Sequence, residues 1–157
     1  MKPVCVISCP IDTFSGYGAR SRDFVKALIK VKGEEWDIKI LPQRWGECPW
    51  NYLSQDDPLR KRFQNGIDNN NRPEIWIQIT VPNEYQAIGT AFNIGVSAGI
   101  ESTIYPGDWI EGSNRMNLNL LSSKHSKDVL NHTQLEKKDN KTQQPMGVVK
   151  FEKSSEV

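Results

Sequence analysis

The stretch from Val4 to Leu28 constrains this chain more than any other. It opens with Val4-Cys-Val-Ile-Ser-Cys9, an apolar run whose Val and Ile content suits a strand buried on both faces. Pro10, Asp12, Ser15, Gly16 and Gly18 then mark a loop. Beyond it Phe24, Val25, Leu28 and Ile29 recur at spacings of three and four, the pattern of an amphipathic helix. Strand, glycine loop and helix in that order make the first unit of a Rossmann-like layer. Gly16 and Gly18 let backbone N–H groups approach a ligand closely, and a helix start adds partial positive charge. Arg20 and Arg22 strengthen the attraction for phosphate. The same two glycines serve equally to shape a tight turn, so the loop alone does not decide between ligand and architecture.

Two familiar phosphate readers are disfavoured. A dinucleotide fingerprint needs Gly or Ala where Ser21 stands, and an acid at the end of the second strand, where Pro42-Gln43 stands. A P-loop needs Gly-Lys followed by Ser or Thr, and the sequence has no such run.

A chain of 157 residues is long enough for one domain with a proper core. Its 20 basic and 19 acidic residues leave a net charge of +1, which argues against nucleic acid or an anionic membrane as partner. No apolar run approaches the length of a membrane span. Met1-Lys2-Pro3 leads directly into a strand without the three-part pattern of a signal peptide, so the expected location is the cytoplasm. The three cysteines fit a reducing compartment. Cys5 and Cys9 lie on one strand about 13 Å apart and cannot pair, and no Cys/His set has zinc spacing, so no metal is expected.

The remaining pattern alternates strands and helices. Strands are expected at Trp36–Leu41, Ile75–Thr80, Thr90–Val96 and Asn117–Leu121. Helices are expected after Asp57-Pro58 as far as Gln64, around Pro106–Gly112 with Asp108 at the cap, and from Lys124 to Leu130 behind a Ser123 cap. Asp68 to Pro73 reads as a polar turn. The predicted fold class is a Rossmann-like α/β sandwich of three layers, with a mainly parallel five-stranded sheet in the order 3-2-1-4-5. Residues 1–133 form this domain. Residues 134–157, polar and rich in lysine, read as a linker or disordered tail.

Ligands of open α/β sheets bind beyond the carboxyl ends of the strands. The unusual residues of this sequence collect there. Trp45 and Trp50 follow the second strand, and indole faces suit stacking on a sugar ring or anchoring a long loop. Glu84 follows the third strand and Glu101 the fourth. Either carboxylate can accept hydrogen bonds from sugar hydroxyls, act as a base, or cap its own loop. His125 and His132 have no nucleophile placed beside them by sequence, so no triad is suggested.

Six segments stand in a familiar order: Ser15-Gly-Tyr-Gly-Ala-Arg-Ser-Arg22, Gln43-Arg-Trp-Gly46, Thr80-Val-Pro-Asn-Glu84, Asn93 to Thr103, Trp109 to Met116, and Ser122-Ser-Lys-His-Ser126. Together they resemble the N-terminal half of a GT-B glycosyltransferase of the retaining group-1/family-4 type, over about residues 3 to 133. The resemblance implies transfer of a sugar from a nucleotide-sugar donor to an acceptor, with no cofactor and no metal. It implies that Ser15, Gly16, Tyr17, Gly18 and Arg22 face the donor phosphates, that Trp45, Trp50 and Glu84 serve the acceptor or sugar, and that Glu101 is catalytic. It also implies a separate C-terminal domain as partner, because that domain holds the nucleotide in the family and has no counterpart in this sequence. Two further departures are the lack of histidine between Asn93 and Thr103 and the presence of Asn117 where relatives carry aspartate. This half is therefore expected to be inactive alone. The alternative is a non-catalytic Rossmann-like module that binds a ligand or a partner.

Overall fold

The computed structural model describes residues 1–70 and 72–157; Asn71, in the polar turn read from the sequence, lies outside the described residues. The chain is a three-layer α/β sandwich of Rossmann-like type around a mainly parallel, six-stranded sheet. The elements in chain order are β1 (Val4–Cys9), α1 (Gly16–Lys32), β2 (Asp37–Pro42), β3 (Ile75–Ile79), β4 (Phe92–Ser97), α2 (Gly107–Asn114), β5 (Leu118–Leu121), α3 (Lys124–His132), β6 (Gln134–Lys138), β7 (Pro145–Lys150) and β8 (Ser154–Glu156). Two short 3-10 turns, Pro58–Arg62 and Pro82–Glu84, complete the set.

The strand order is β2-β1-β3-β4-β5-β8, which corrects two expectations. The first concerns β3, which pairs with β1 rather than lying outside β2. The outer edge of β2 is already in use. Phe63 forms a parallel bridge with Ile40, the Gln64 N–H donates to the Ile40 carbonyl at 2.9 Å, and Arg62 Nη1 donates to the Ile38 carbonyl at 3.1 Å. A strand arriving later finds its free partner on the other side of β1. The resulting core order 2-1-3-4-5 is the flavodoxin-like variant of the doubly wound sheet, which reverses direction between β1 and β3.

The second correction concerns residues 134–157. The polar segment forms the antiparallel hairpin β6–β7, and β8 adds a sixth strand, parallel to β5. Alternation explains the hairpin. Leu135 and Val149 sit opposite one another and, with Phe151, pack on a cluster of Tyr105, Ile110, Leu121, Val129 and Leu130, while the lysines and glutamate between them stay exposed. Few apolar residues are enough when an existing core supplies the other wall.

The chain divides into two compact units. The first comprises Met1–Thr80 with Ile88–Asn93. Its β1 is buried along its whole length, as a doubly covered strand must be. In α1 the buried residues are Gly18, Ser21, Arg22 and Val25, a stripe one to two turns earlier than the one read from the apolar residues; Phe24, Leu28 and Ile29 are only half-buried. The expected helix after Asp57 is a single 3-10 turn, with the Asp57 carboxylate accepting the Leu59 N–H at 2.9 Å.

The second unit comprises Val81–Ala87 with Ile94–Val157. In it α2 starts behind Pro106, with Asp108 in its first turn rather than at the cap. As expected, α3 has Ser123 at its cap, accepting from the Ser126 N–H at 3.1 Å. Gly95 lies against the buried ring of Tyr85, where any side chain would collide with the ring carbons.

Candidate functional site

In the first unit the loops after β1 and β2 meet around the start of α1. Ser15 caps that helix, its hydroxyl accepting the Gly18 N–H at 2.9 Å and contacting Thr13 Oγ1 at 2.8 Å. The two glycines differ in role. A methyl group on Gly18 would strike the Thr13 carbonyl, so Gly18 exists to let the loop fold back on the helix. Gly16 is exposed, and its Cβ position is open space. The first turn of α1 contains no acidic residue to compete for an anion.

Tyr17 stacks on Trp45, with ring centroids 4.2 Å apart and planes at 23°. Two residues singled out separately, 28 positions apart, are thus one aromatic surface, and both remain half-buried rather than covered. Beside them Phe14 meets Tyr52 edge-on at 5.1 Å, and both rings are exposed. Trp50 is half-buried; it bridges to Thr13 through the backbone, and the Arg44 guanidinium stands 5.8 Å from its ring. Trp50 therefore acts at least in part as an anchor of its loop.

Arg22 occupies a different position from the one its charge suggested. It is 7% exposed, its Nη1 donates to the Ile11 and Thr13 carbonyls at 2.8 and 2.9 Å, and its guanidinium lies 3.4 Å from the centre of the Tyr52 ring. These contacts hold the loop after β1 in shape. The exposed cation of this segment is Arg20.

Sequence reasoning missed Asp12 as a structural centre. Its buried carboxylate accepts the Leu53 N–H at 2.8 Å and pairs with Arg60 at 3.1 Å, while its carbonyl accepts the Tyr52 N–H at 3.2 Å. One aspartate thereby fixes the end of the aromatic loop. The only hint in sequence was an acid three positions beyond the end of an apolar strand.

The second unit holds Glu84 and Glu101, both exposed. The Pro82–Glu84 turn carrying Glu84 is pinned by Arg115, whose Nε donates to the Tyr85 carbonyl at 2.8 Å and whose Nη2 donates to the Asn83 carbonyl at 3.0 Å. Gly112 packs so closely on the Pro82 carbonyl that no Cβ fits. The loop bearing Glu101 is tied to the start of α3 through three contacts. Ser122 Oγ donates to the Ala98 carbonyl, Ser126 Oγ to the Ile100 carbonyl at 3.1 Å, and His125 Nε2 lies 3.2 Å from the Ser102 carbonyl oxygen. Gly99 takes φ +80° there, beside Ser126, a position closed to other residues on both counts. Gly99 and Ser122-Ser-Lys-His-Ser126, from two of the segments noted in the sequence, thus meet in one loop support.

Comparison with protein-family models, curated proteins and solved structures finds no match for this chain. Fold and local geometry therefore carry the functional reading. Among the described residues, no group of three or more His, Cys, Asp or Glu side chains is placed to hold a metal ion. No helix among them is long and apolar enough to cross a membrane.

Proposed function

We propose that this chain is a Rossmann-like ligand-binding module whose site surrounds the start of α1, and that the ligand is a sugar or a sugar phosphate. One observation carries the reading: the Tyr17–Trp45 stack stands beside an uncrowded, acid-free helix start at Gly16. Aromatic faces suit the C–H surface of a sugar, and the partial positive charge of a helix start suits its phosphate.

A narrower reading follows from the run of six segments. The module is the acceptor-side half of a transferase that uses a nucleotide-sugar, with a separate donor-binding domain as partner. In that role Ser15, Gly16, Tyr17 and Gly18 lie toward the donor phosphates, Trp45, Trp50 and Glu84 serve the acceptor, and Glu101 flanks the reacting centre. Arg22 shapes the phosphate loop through its two carbonyl contacts. The order of the segments supports this version, together with the way the fold ties Gly99 and Ser122–Ser126 into one loop support.

Titration of the chain with UDP-glucose, GDP-mannose, glucose and glucose 1-phosphate, followed by amide and indole NMR shifts, tests the proposal. Shifts should cluster at Ser15–Gly18 and the Trp45 indole, and Trp45→Ala should weaken binding by about tenfold. Shifts confined to other surfaces would overturn it. Sugar transfer by the isolated chain would overturn the half-enzyme version alone.

A further inference from the structure

A cavity of about 980 Å³ opens in the first unit between α1, β2 and the Pro58–Arg62 turn, and its lining includes none of Ser15–Gly18, Trp45, Trp50 and Tyr52. Its volume lies in the range of small-molecule sites. Its floor is apolar: Ile38 and Leu59 are buried, Ile29 and Phe63 half-buried.

The wall carries four cations, Lys26, Lys39, Lys61 and Arg62, against two carboxylates, Asp37 and Asp57, an excess of two positive charges. Four of these groups are engaged within the fold. Lys39 lies 3.4 Å from Asp37, Asp57 accepts the Leu59 N–H at 2.9 Å, and Arg62 donates to the Ile38 carbonyl at 3.1 Å. Lys26 and Lys61 are exposed and have no hydrogen-bond or ion-pair partner among the described residues. A smaller cavity of about 420 Å³ shares Lys26 and Asp57 with the first and continues along α1 to Ala19. That smaller cavity is lined mainly by polar residues, so the apolar floor is that of the larger cavity, with two uncommitted ammonium groups at its rim.

We propose that this groove binds an anion carrying an unbranched apolar chain, of the fatty-carboxylate or alkyl-phosphate kind. The chain lies on Ile29, Ile38, Leu59 and Phe63, and the head group is held by Lys26 and Lys61. The proposal is independent of the sugar site. The apolar floor calls for an apolar body, and the charge excess selects an anionic head over a cationic one.

The test is calorimetric titration of the intact chain with octanoate, decanoate and dodecanoate below their micelle concentrations, alongside decyl phosphate. Affinity should rise about threefold for each added methylene. Lys26→Gln and Lys61→Gln should each weaken binding about threefold while leaving the melting temperature unchanged. Amide shifts should map to the groove and spare Ser15–Gly18. Whichever of decanoate and decyl phosphate binds more tightly identifies the head group. Affinity that ignores chain length, equal binding of decyltrimethylammonium, binding of acetate or inorganic phosphate as tight as that of decanoate, or indifference to both substitutions would each overturn the proposal.

Discussion

Asp12 and Arg60, 48 residues apart in the chain, meet at 3.1 Å and lock the loop after β1 to the loop after β2. Arg60 also donates to the Leu53 and Ser54 carbonyls, at 2.7 and 2.8 Å, so its guanidinium closes the end of the aromatic loop. Removing the cation leaves a buried carboxylate with only the Leu53 N–H. Arg60→Met should therefore cost about 2 kcal/mol in urea unfolding. In a double-mutant cycle with Asp12→Asn, the two losses should fall short of additivity by about 1 kcal/mol. Strict additivity would mean that the pair contributes nothing of its own.

The two glycines at the start of α1 should respond in opposite ways. Gly18→Ala forces a methyl group into the Thr13 carbonyl and should destabilise the chain by about 1–3 kcal/mol. Gly16→Ala meets open space at a helical position and should be neutral or stabilising by about 0.5 kcal/mol. Thermal melts of the two variants decide this. Equal losses would show that the loop does not fold back as described.

Burial pushes the thiols of Cys5 and Cys9 up to about 12, with Ser21 and the Ile11 N–H only partly offsetting it at Cys9. In native protein at pH 8, iodoacetamide should modify the half-buried Cys48 and spare both strand cysteines. The same burial makes folding sensitive to alkali. Above about pH 9 the unfolded thiols ionise while the native ones keep their protons, so the native state binds more protons and stability falls as pH rises. The slope is about 1.4 kcal/mol per pH unit for each thiol, up to the native value near 12. Cys5→Ala and Cys9→Ala should each flatten that slope.

Residues 152–157 should contribute to stability despite their polarity. Ser155 is buried in β8 and hydrogen-bonds Asn131 at 3.0 Å, and Lys127 reaches Glu156 at 3.1 Å. Deleting them should lower the melting temperature by several degrees, at about 2–4 °C per kcal/mol for a chain of this size. Removing everything after Thr133 should cost considerably more, because Leu135, Val149 and Phe151 leave the cluster around Tyr105 and Leu130. An unchanged melt would show that the tail is a passenger.

The first βα unit was readable in the sequence because its signals are local. Val4–Cys9 is continuous in apolar character, and Ser15 with Gly16 and Gly18 leads into a helix of 17 residues. Strand order was not readable, because it depends on who occupies the edge of β2. Phe63 and Gln64 do so through backbone groups, which leave no trace in residue type. The tail was misread for a related reason. Its three useful apolar residues are too few to signal a core of their own, yet enough to complete one formed by α2, β5 and α3. At the candidate site, Tyr17 and Trp45 stood out singly, but their stacking depends on loop geometry fixed by Asp12. Arg22 shows the reverse error: a charge beside a glycine loop suggested an anion, whereas two backbone carbonyls and a tyrosine ring claim it.

The bridge from Phe63 to Ile40 also bears on how the chain behaves when crowded. An outer strand with a bare row of N–H and carbonyl groups invites a neighbouring molecule to add a strand, and such additions propagate into aggregates. On β2 the Ile38 and Ile40 carbonyls are already taken, by Arg62 and the Gln64 N–H. Strand addition at this edge would first have to peel that cover away, and a concentrated solution of the protein should resist aggregation there for as long as the segment stays docked.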